Sequence, residues 1–223
     1  MASHFELKQY QQASLDAFET YLGSVNQDGA NVAFYKSTNL PYRDAPIIKE
    51  GVPYICLRIP TGGGKTILAS HTIGVCSKTY MQSTSPMVLW LVPSTPILEQ
   101  TVKALKNIDH PYRTALGQYF GRNISVLTKS EALAMSRADA EGGACIIVST
   151  IQSFRRDQTE GLKVYEDAGA LMDHFSGLSA DQEERLNKAE GVDRPTASLV
   201  NVLRLHRPMV IVDEAHNART PLS

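Results

Sequence analysis

Cysteine is scarce: Cys56, Cys76 and Cys145 are the only three in 223 residues. Their odd number and wide separation exclude a disulfide framework and leave no metal-ligand spacing, so they read as reduced, buried small hydrophobes. An excess of charge of either sign is also missing. Twenty-two Lys and Arg face 23 Asp and Glu, a formal net charge of −1, so no global basic field draws nucleic acid in and any such site must be local. No run approaches the ~20 apolar residues that a membrane span needs. The start, Met1-Ala2-Ser3-His4-Phe5-Glu6, lacks the basic region and apolar core of a secretory signal. The cytoplasm is the default compartment, and no membrane partner is expected.

What is present is a chain with 43% hydrophobic residues, enough for one large α/β domain or one domain with an insertion. Its organising stretch is Pro60-Thr61-Gly62-Gly63-Gly64-Lys65-Thr66, after the apolar run Tyr54–Ile59 and before the helically spaced Ile67, Leu68, Ile73 and Val75. A strand passing through a glycine turn into a helix N-terminus aims several backbone N–H groups and the positive end of the helix dipole at one point. That is a phosphate cradle. Lys65 can reach outer phosphates as a point charge, and the Thr66 hydroxyl suits Mg²⁺. The strict G-x-x-x-x-G-K-[ST] pattern wants glycine where Ile59 stands.

Upstream, residues from about Gln9 to Leu22 read as an amphipathic helix. Gln11 carries a donor and an acceptor on one planar amide, the pair that adenine N7 and N6 require, so it is a candidate adenine reader. From Gly23 to Gly51 the text reads as a long connection with room for a short hairpin or helix. Downstream, Met87–Val92 is an unbroken apolar run suited to a strand buried on both faces. Thr95 fits an N-cap and Pro96 the first helical position. Asn123–Leu127 and Cys145–Thr150 repeat the strand pattern, with a short helical stretch from Ser130 to about Arg137 between them. Strands alternating with helices predict a mostly parallel sheet with helices on both faces, whose ligands gather at the carboxyl ends of strands. Ser94, Thr95, Ser149 and Thr150 fall at that edge, where hydroxyls suit either a nucleic-acid backbone phosphate or plain capping.

Residues from about 155 to 207 loosen into charged helical pieces, one opened by Ser179 and Gln182 at capping-box spacing, and read as a helical insertion. The chain then closes on Met209-Val210-Ile211-Val212-Asp213-Glu214-Ala215-His216. The apolar run is another buried strand with two carboxylates at its end. Asp213 suits water-mediated Mg²⁺ coordination, and Glu214 suits a base that orients an attacking water. His71, on the helix after the glycine loop, reads as a packing residue.

Pro60–Thr66, Leu91–Gln100, Ile147–Gln152 and Val210–His216 resemble motifs I, Ia, a following nucleic-acid-contacting motif, and II of superfamily-two helicases, with Asp213-Glu214-Ala215-His216 spelling the DEAH form. Tyr10-Gln11 resembles the glutamine motif of that group. The text is most similar to the motor of type III restriction enzyme Res subunits. The resemblance implies a RecA-like P-loop domain over residues 1–223, using ATP and Mg²⁺. The ATP-contacting residues would be Gln11, Thr61, Gly62, Gly63, Gly64, Lys65 and Thr66, and Lys65, Asp213 and Glu214 would be catalytic. Thr66 and Asp213 would serve the metal, and His216 would couple the ATP site to a domain interface. It further implies a nucleic-acid track, DNA rather than RNA, a second RecA-like domain beyond Ser223, and a modification methyltransferase as a possible partner subunit. Without that second domain and its arginine finger, this piece is expected to hydrolyse ATP slowly or not at all. Two alternatives stay open on the residues alone, a nucleotide-dependent protein-interaction switch and an RNA helicase domain.

Overall fold

A computed structural model of the chain describes residues 6–43, 48, 51–154, 163–188, 191 and 194–215. The chain divides into two compact units, Met1–Thr84 with Pro111–Tyr119, and Ser85–His110 with Phe120–Ser223.

The first unit is helical. Helix α1 runs over Gln9–Asp28 and buries Gln11, Leu15, Phe18, Tyr21, Leu22 and Val25 along one stripe. It extends past the expected end at Leu22, and Gly29, in a left-handed conformation with φ 78°, turns it into α2 over Ala30–Thr38. Much of the expected long connection is therefore helix. Helix α3, Lys65–Cys76, is buried along most of its length and ends in a π-helical turn over Ser77–Met81. Helix α5, Pro111–Phe120, adds the buried Ala115 and Leu116.

Among the described residues, the stretch Tyr54–Ile59, expected as a strand, forms no ladder. Aromatic side chains hold the segment instead. The Tyr54 N–H donates to the Tyr42 hydroxyl at 3.1 Å, and a chain of ring contacts runs Tyr21–Phe34–Tyr42–Tyr54 with centroids 5.9, 5.5 and 5.1 Å apart. Cys56 in this segment is exposed, which corrects the expectation of three buried thiols. Burial pushes the Cys76 thiol up to about 11 and that of Cys145 to about 12, so both remain protonated.

The second unit holds a four-stranded, all-parallel sheet in the order β2-β3-β1-β4, formed by β1 (Met87–Val92), β2 (Ile124–Thr128), β3 (Ala144–Thr150) and β4 (Met209–Val212). The register sets Val88 beside Ile146 and Met209, and Val92 beside Thr150. Strands β1 and β3 are buried on both faces, which is why they read as continuous apolar runs. On one face Met87, Leu89, Cys145 and Ile147 join Met135, Val164, Leu171, Leu199 and Val202 in a core cluster. Val88, Trp90, Ile146 and Val148, at the alternate positions, are fully buried too. Helix α4, Thr95–Lys106, packs against β1, β2 and β3 and buries Thr101, Ala104 and Leu105.

Between β2 and β3 the chain makes two short helices, α6 (Lys129–Ala132) and α7 (Arg137–Glu141), each opened by a capping box. The expected single helix from Ser130 to Arg137 is thereby displaced. Of the expected insertion, the described part contains a 3₁₀ segment Gly169–Phe175, α8 over Ala180–Glu184 and α9 over Leu199–His206. The Ser179–Gln182 capping box is present, with Gln182 N–H donating to Ser179 Oγ at 3.3 Å and Ser179 N–H to Gln182 Oε1 at 2.9 Å. Among the described residues, no helix is long and apolar enough to cross a membrane.

Candidate functional site

In the first unit the glycine loop takes a form that only glycine permits at two positions. Gly62 and Gly64 lie in the left-handed region at φ 76° and 77°, where a side chain costs about 1–2 kcal/mol per residue. Gly64 is the N-cap of α3, so Lys65 is its first residue and Thr66 its second. The turn is closed by the Gly63 N–H donating to the Pro60 carbonyl at 2.9 Å. A Cβ on Gly63 would stand 2.7 Å from the Ile59 Cγ2 methyl and 2.8 Å from the Pro60 oxygen. Ile59, the departure from the strict glycine pattern, thus packs under the loop and makes Gly63 obligatory. This tightly curled turn ending on a helix N-terminus fits a phosphate group, because the helix dipole favours an anion there and a Cβ on Gly62 would meet nothing within 4 Å.

The glutamine expected to read adenine is bonded within the chain itself. Gln11 is buried, its Nε2 donates to the Gly63 carbonyl at 2.9 Å, and its Oε1 accepts the Lys8 N–H at 2.8 Å. The Tyr10 hydroxyl donates to the same Gly63 carbonyl at 2.8 Å. Two consecutive side chains at the start of α1 therefore grip one carbonyl of the loop. Their adjacency was legible in the sequence; the target, 52 and 53 positions downstream, was not.

In the second unit the parallel register gathers the other candidates at one edge. Val92 and Thr150 are partners, as are Leu91 and Val212, so Ser94, Thr150 and Asp213 follow at the carboxyl ends of adjacent strands. The Asp213 N–H donates to the Leu91 carbonyl at 2.8 Å, extending the β1–β4 ladder by one residue. Its carboxylate turns back, with Oδ1 accepting the Glu214 N–H at 2.9 Å. Glu214 itself has φ 52°, left-handed and strained for a non-glycine residue. Ser94, extended at φ −148° and ψ 159°, takes the N-cap position expected of Thr95, and Thr95 and Pro96 open α4. The Thr150 and Ser153 hydroxyls share a hydrogen bond at 3.0 Å.

Ser149 departs from expectation. It is fully buried in β3, which is covered on both faces, whereas Thr150 is half-buried because it is the last residue of the strand. It is thereby removed from the surface contacts. His216 lies outside the described residues. Asn201, unnoticed in the sequence, proves to be a structural anchor. It is fully buried, its Nδ2 donates to the Asn187 and Thr196 carbonyls at 2.8 Å each, and its Oδ1 accepts the Asn187 N–H at 2.9 Å.

No curated protein and no solved structure matches the chain. A family model described as the Res subunit of type III restriction enzymes matches residues 4–221, nearly the whole chain and every motif discussed above. The all-parallel sheet flanked by helices is that of a RecA-like α/β domain. The chain belongs to the type III restriction enzyme Res subunit family, a group of helicase-like, ATP-dependent motor domains of superfamily two.

Proposed function

We propose that this chain is the first RecA-like, ATP-hydrolysing domain of a DNA translocase of the type III restriction kind, working with a second RecA-like domain and a modification methyltransferase subunit. The observation that carries the reading is the loop Pro60–Thr66, whose left-handed Gly62 and Gly64 deliver Lys65 and Thr66 to the first turn of α3. Thr61, Gly62, Gly63 and Gly64 would surround the phosphates and Lys65 would reach the outermost one. Thr66 and Asp213 would serve Mg²⁺, which would supply charge neutralisation at the phosphates. Glu214 takes a proton from the attacking water, and His216 couples the site to the partner domain. The Gln11 amide, with one N–H and one oxygen lone pair beyond those already engaged, has what adenine N7 and N6 call for. Ser94, Thr95 and Thr150 would touch backbone phosphates without reading bases.

The test is ATP turnover by the protein carrying this chain, in the presence of duplex DNA. Glu214→Gln is expected to lower turnover by ~10²-fold or more while leaving nucleotide bound, and Lys65→Ala to weaken binding itself. Turnover within a few-fold of wild type in Glu214→Gln removes Glu214 as the base. The near-zero formal charge favours a second reading, a nucleotide-dependent protein-interaction switch. Backbone contacts give DNA affinity that falls log-linearly with salt, and a protein partner need not show that slope. Comparing DNA and RNA of one sequence separates the two tracks.

A further inference from the structure

The peptide joining Gly63 to Gly64 has no Cβ on either side. Such a peptide turns about its two flanking bonds with little steric hindrance, so its carbonyl and N–H exchange faces of the loop unless something holds them. Here two donors hold one end. The Tyr10 hydroxyl and the Gln11 Nε2 reach the Gly63 carbonyl at 2.8 and 2.9 Å, which occupies both lone pairs of that oxygen. Among the described residues no peptide bond is cis, so carbonyl and N–H stand on opposite sides of this one. A carbonyl fixed towards α1 therefore sends the Gly64 N–H away from α1. Among the described residues that N–H has no hydrogen-bond partner, and it directly precedes Lys65 and Thr66, the first residues of α3.

The two holders are not alike. Gln11 is buried and tied at its oxygen to the Lys8 N–H, and its Nε2 lies so close beneath the loop that a Cβ on Gly64 would press on it. The Tyr10 ring is 41% exposed. Its hydroxyl has water at hand, yet it turns to a carbonyl 53 positions downstream. Burial of the ring does not dictate that direction. The adenine-reading role expected of Gln11 leaves the phenol beside it without a task, and the orientation of this peptide supplies one.

We propose that Tyr10 is a positioning residue of the phosphate site: its hydroxyl, together with Gln11, keeps the Gly63–Gly64 peptide from flipping, so that the Gly64 N–H faces the phosphate chain of a nucleoside triphosphate beside the N–H groups that open α3. This rests on the reading of Pro60–Thr66 as a phosphate loop. After a flip the Gly63 oxygen would face the phosphates and repel them, so loss of the hydroxyl acts on anion affinity. Tyr10 thereby serves the phosphate chain and not the base.

The experiment measures the binding of ATP and of inorganic tripolyphosphate, each with Mg²⁺, to wild type, Tyr10→Phe, Gln11→Ala, the double variant and Lys65→Ala, together with the unfolding midpoint of each. Tyr10→Phe is expected to weaken both ligands equally, on the order of fivefold, with a midpoint near that of wild type because the ring keeps its place. The double variant, with no holder left, should lose more tripolyphosphate affinity than the product of the two single losses. A loss for ATP alone assigns the phenol ring to the base and overturns the proposal. Unchanged affinities in Tyr10→Phe overturn it too, whether or not the midpoint falls, as does a double variant that merely multiplies the single effects. Lys65→Ala tests the underlying reading: if it binds both ligands like wild type, the loop holds no phosphate and the motor reading falls together with this proposal. If it loses them while Tyr10→Phe does not, the role of Tyr10 falls by itself.

Discussion

The side-chain amide of Gln11 holds the carbonyl of Gly63 at 2.9 Å, so the first helix of the chain and the middle of the glycine loop are tied by one buried hydrogen bond. Removing the donor leaves the carbonyl to the Tyr10 hydroxyl alone, the loss of one hydrogen bond, roughly 0.5–1.5 kcal/mol. Gln11→Ala is expected to weaken nucleotide binding by about tenfold, the equivalent of ~1.4 kcal/mol, and to lower the unfolding midpoint. Gln11→Glu should be worse, because a carboxylate would face the Gly63 oxygen with no proton to give. Fluorescent-nucleotide titration and denaturant unfolding measure the two effects. If Gln11→Glu binds nucleotide as well as wild type, the loop does not depend on this anchor.

Gly74 and Tyr119 form a second pair with a directional test. Since a Cβ at 74 overlaps the phenol ring, Gly74→Ala is expected to destabilise by about 1–3 kcal/mol through overpacking. Truncating the ring relieves that clash. The double variant Gly74→Ala with Tyr119→Ala should therefore be more stable than the sum of the single changes predicts, a non-additivity that chemical unfolding of all four proteins reads out.

Asn201 fastens the returning insertion through three hydrogen bonds to the backbone of Asn187 and Thr196. Asn201→Leu keeps the volume but strands three backbone groups, and should cost about 2–4 kcal/mol. That exceeds a single lost bond because each buried group bears its own desolvation penalty. Proteolysis between residues 187 and 196 should rise in parallel. A variant that unfolds like wild type would show that water replaces the amide.

Glu131 makes a small contribution to the acid limb of stability. Its carboxyl is held down to about 2 by the bond from Lys106, then by the Thr128 backbone N–H and hydroxyl, with Lys106 Nζ at 2.7 Å and Thr128 N–H at 2.7 Å. A carboxyl depressed in the folded state stabilises above its ordinary value near 4.5 and loses that contribution as pH falls towards 2. Glu131→Gln should thus unfold with a flatter pH dependence between those values and match wild type more closely at the bottom of the range. The pair is nearly half exposed, so salt screens part of the effect and the gain is small.

Much of this architecture is written locally. Met87–Val92 and Cys145–Thr150 were legible as strands because burial on both faces demands unbroken apolar runs. The loop was legible because left-handed turns demand glycine. Tyr54–Ile59 looked like the same kind of strand, yet it is held by aromatic contacts to Tyr42, and no ladder partner could be inferred from the run itself. Helix α2 could not be told from a hairpin within the long connection because only Ala30 and Ala33 are buried, too little to mark a stripe. Ser149 and Thr150 are indistinguishable as letters, and only the place where the covered part of the strand ends separates them. The grip of Tyr10 and Gln11 on Gly63 and the anchor at Asn201 depend on contacts distant in sequence, which no local pattern encodes.

Glu214 gives the candidate site a temperamental corner. Its φ of 52° is a backbone state that glycine would occupy at about 1 kcal/mol less. A population selected only for heat resistance would drift towards glycine there, and in doing so would discard the proposed base. At this one position endurance and turnover pull in opposite directions, so a thermostabilised form of this domain should be inspected first at residue 214 before its silence towards ATP is blamed on anything else.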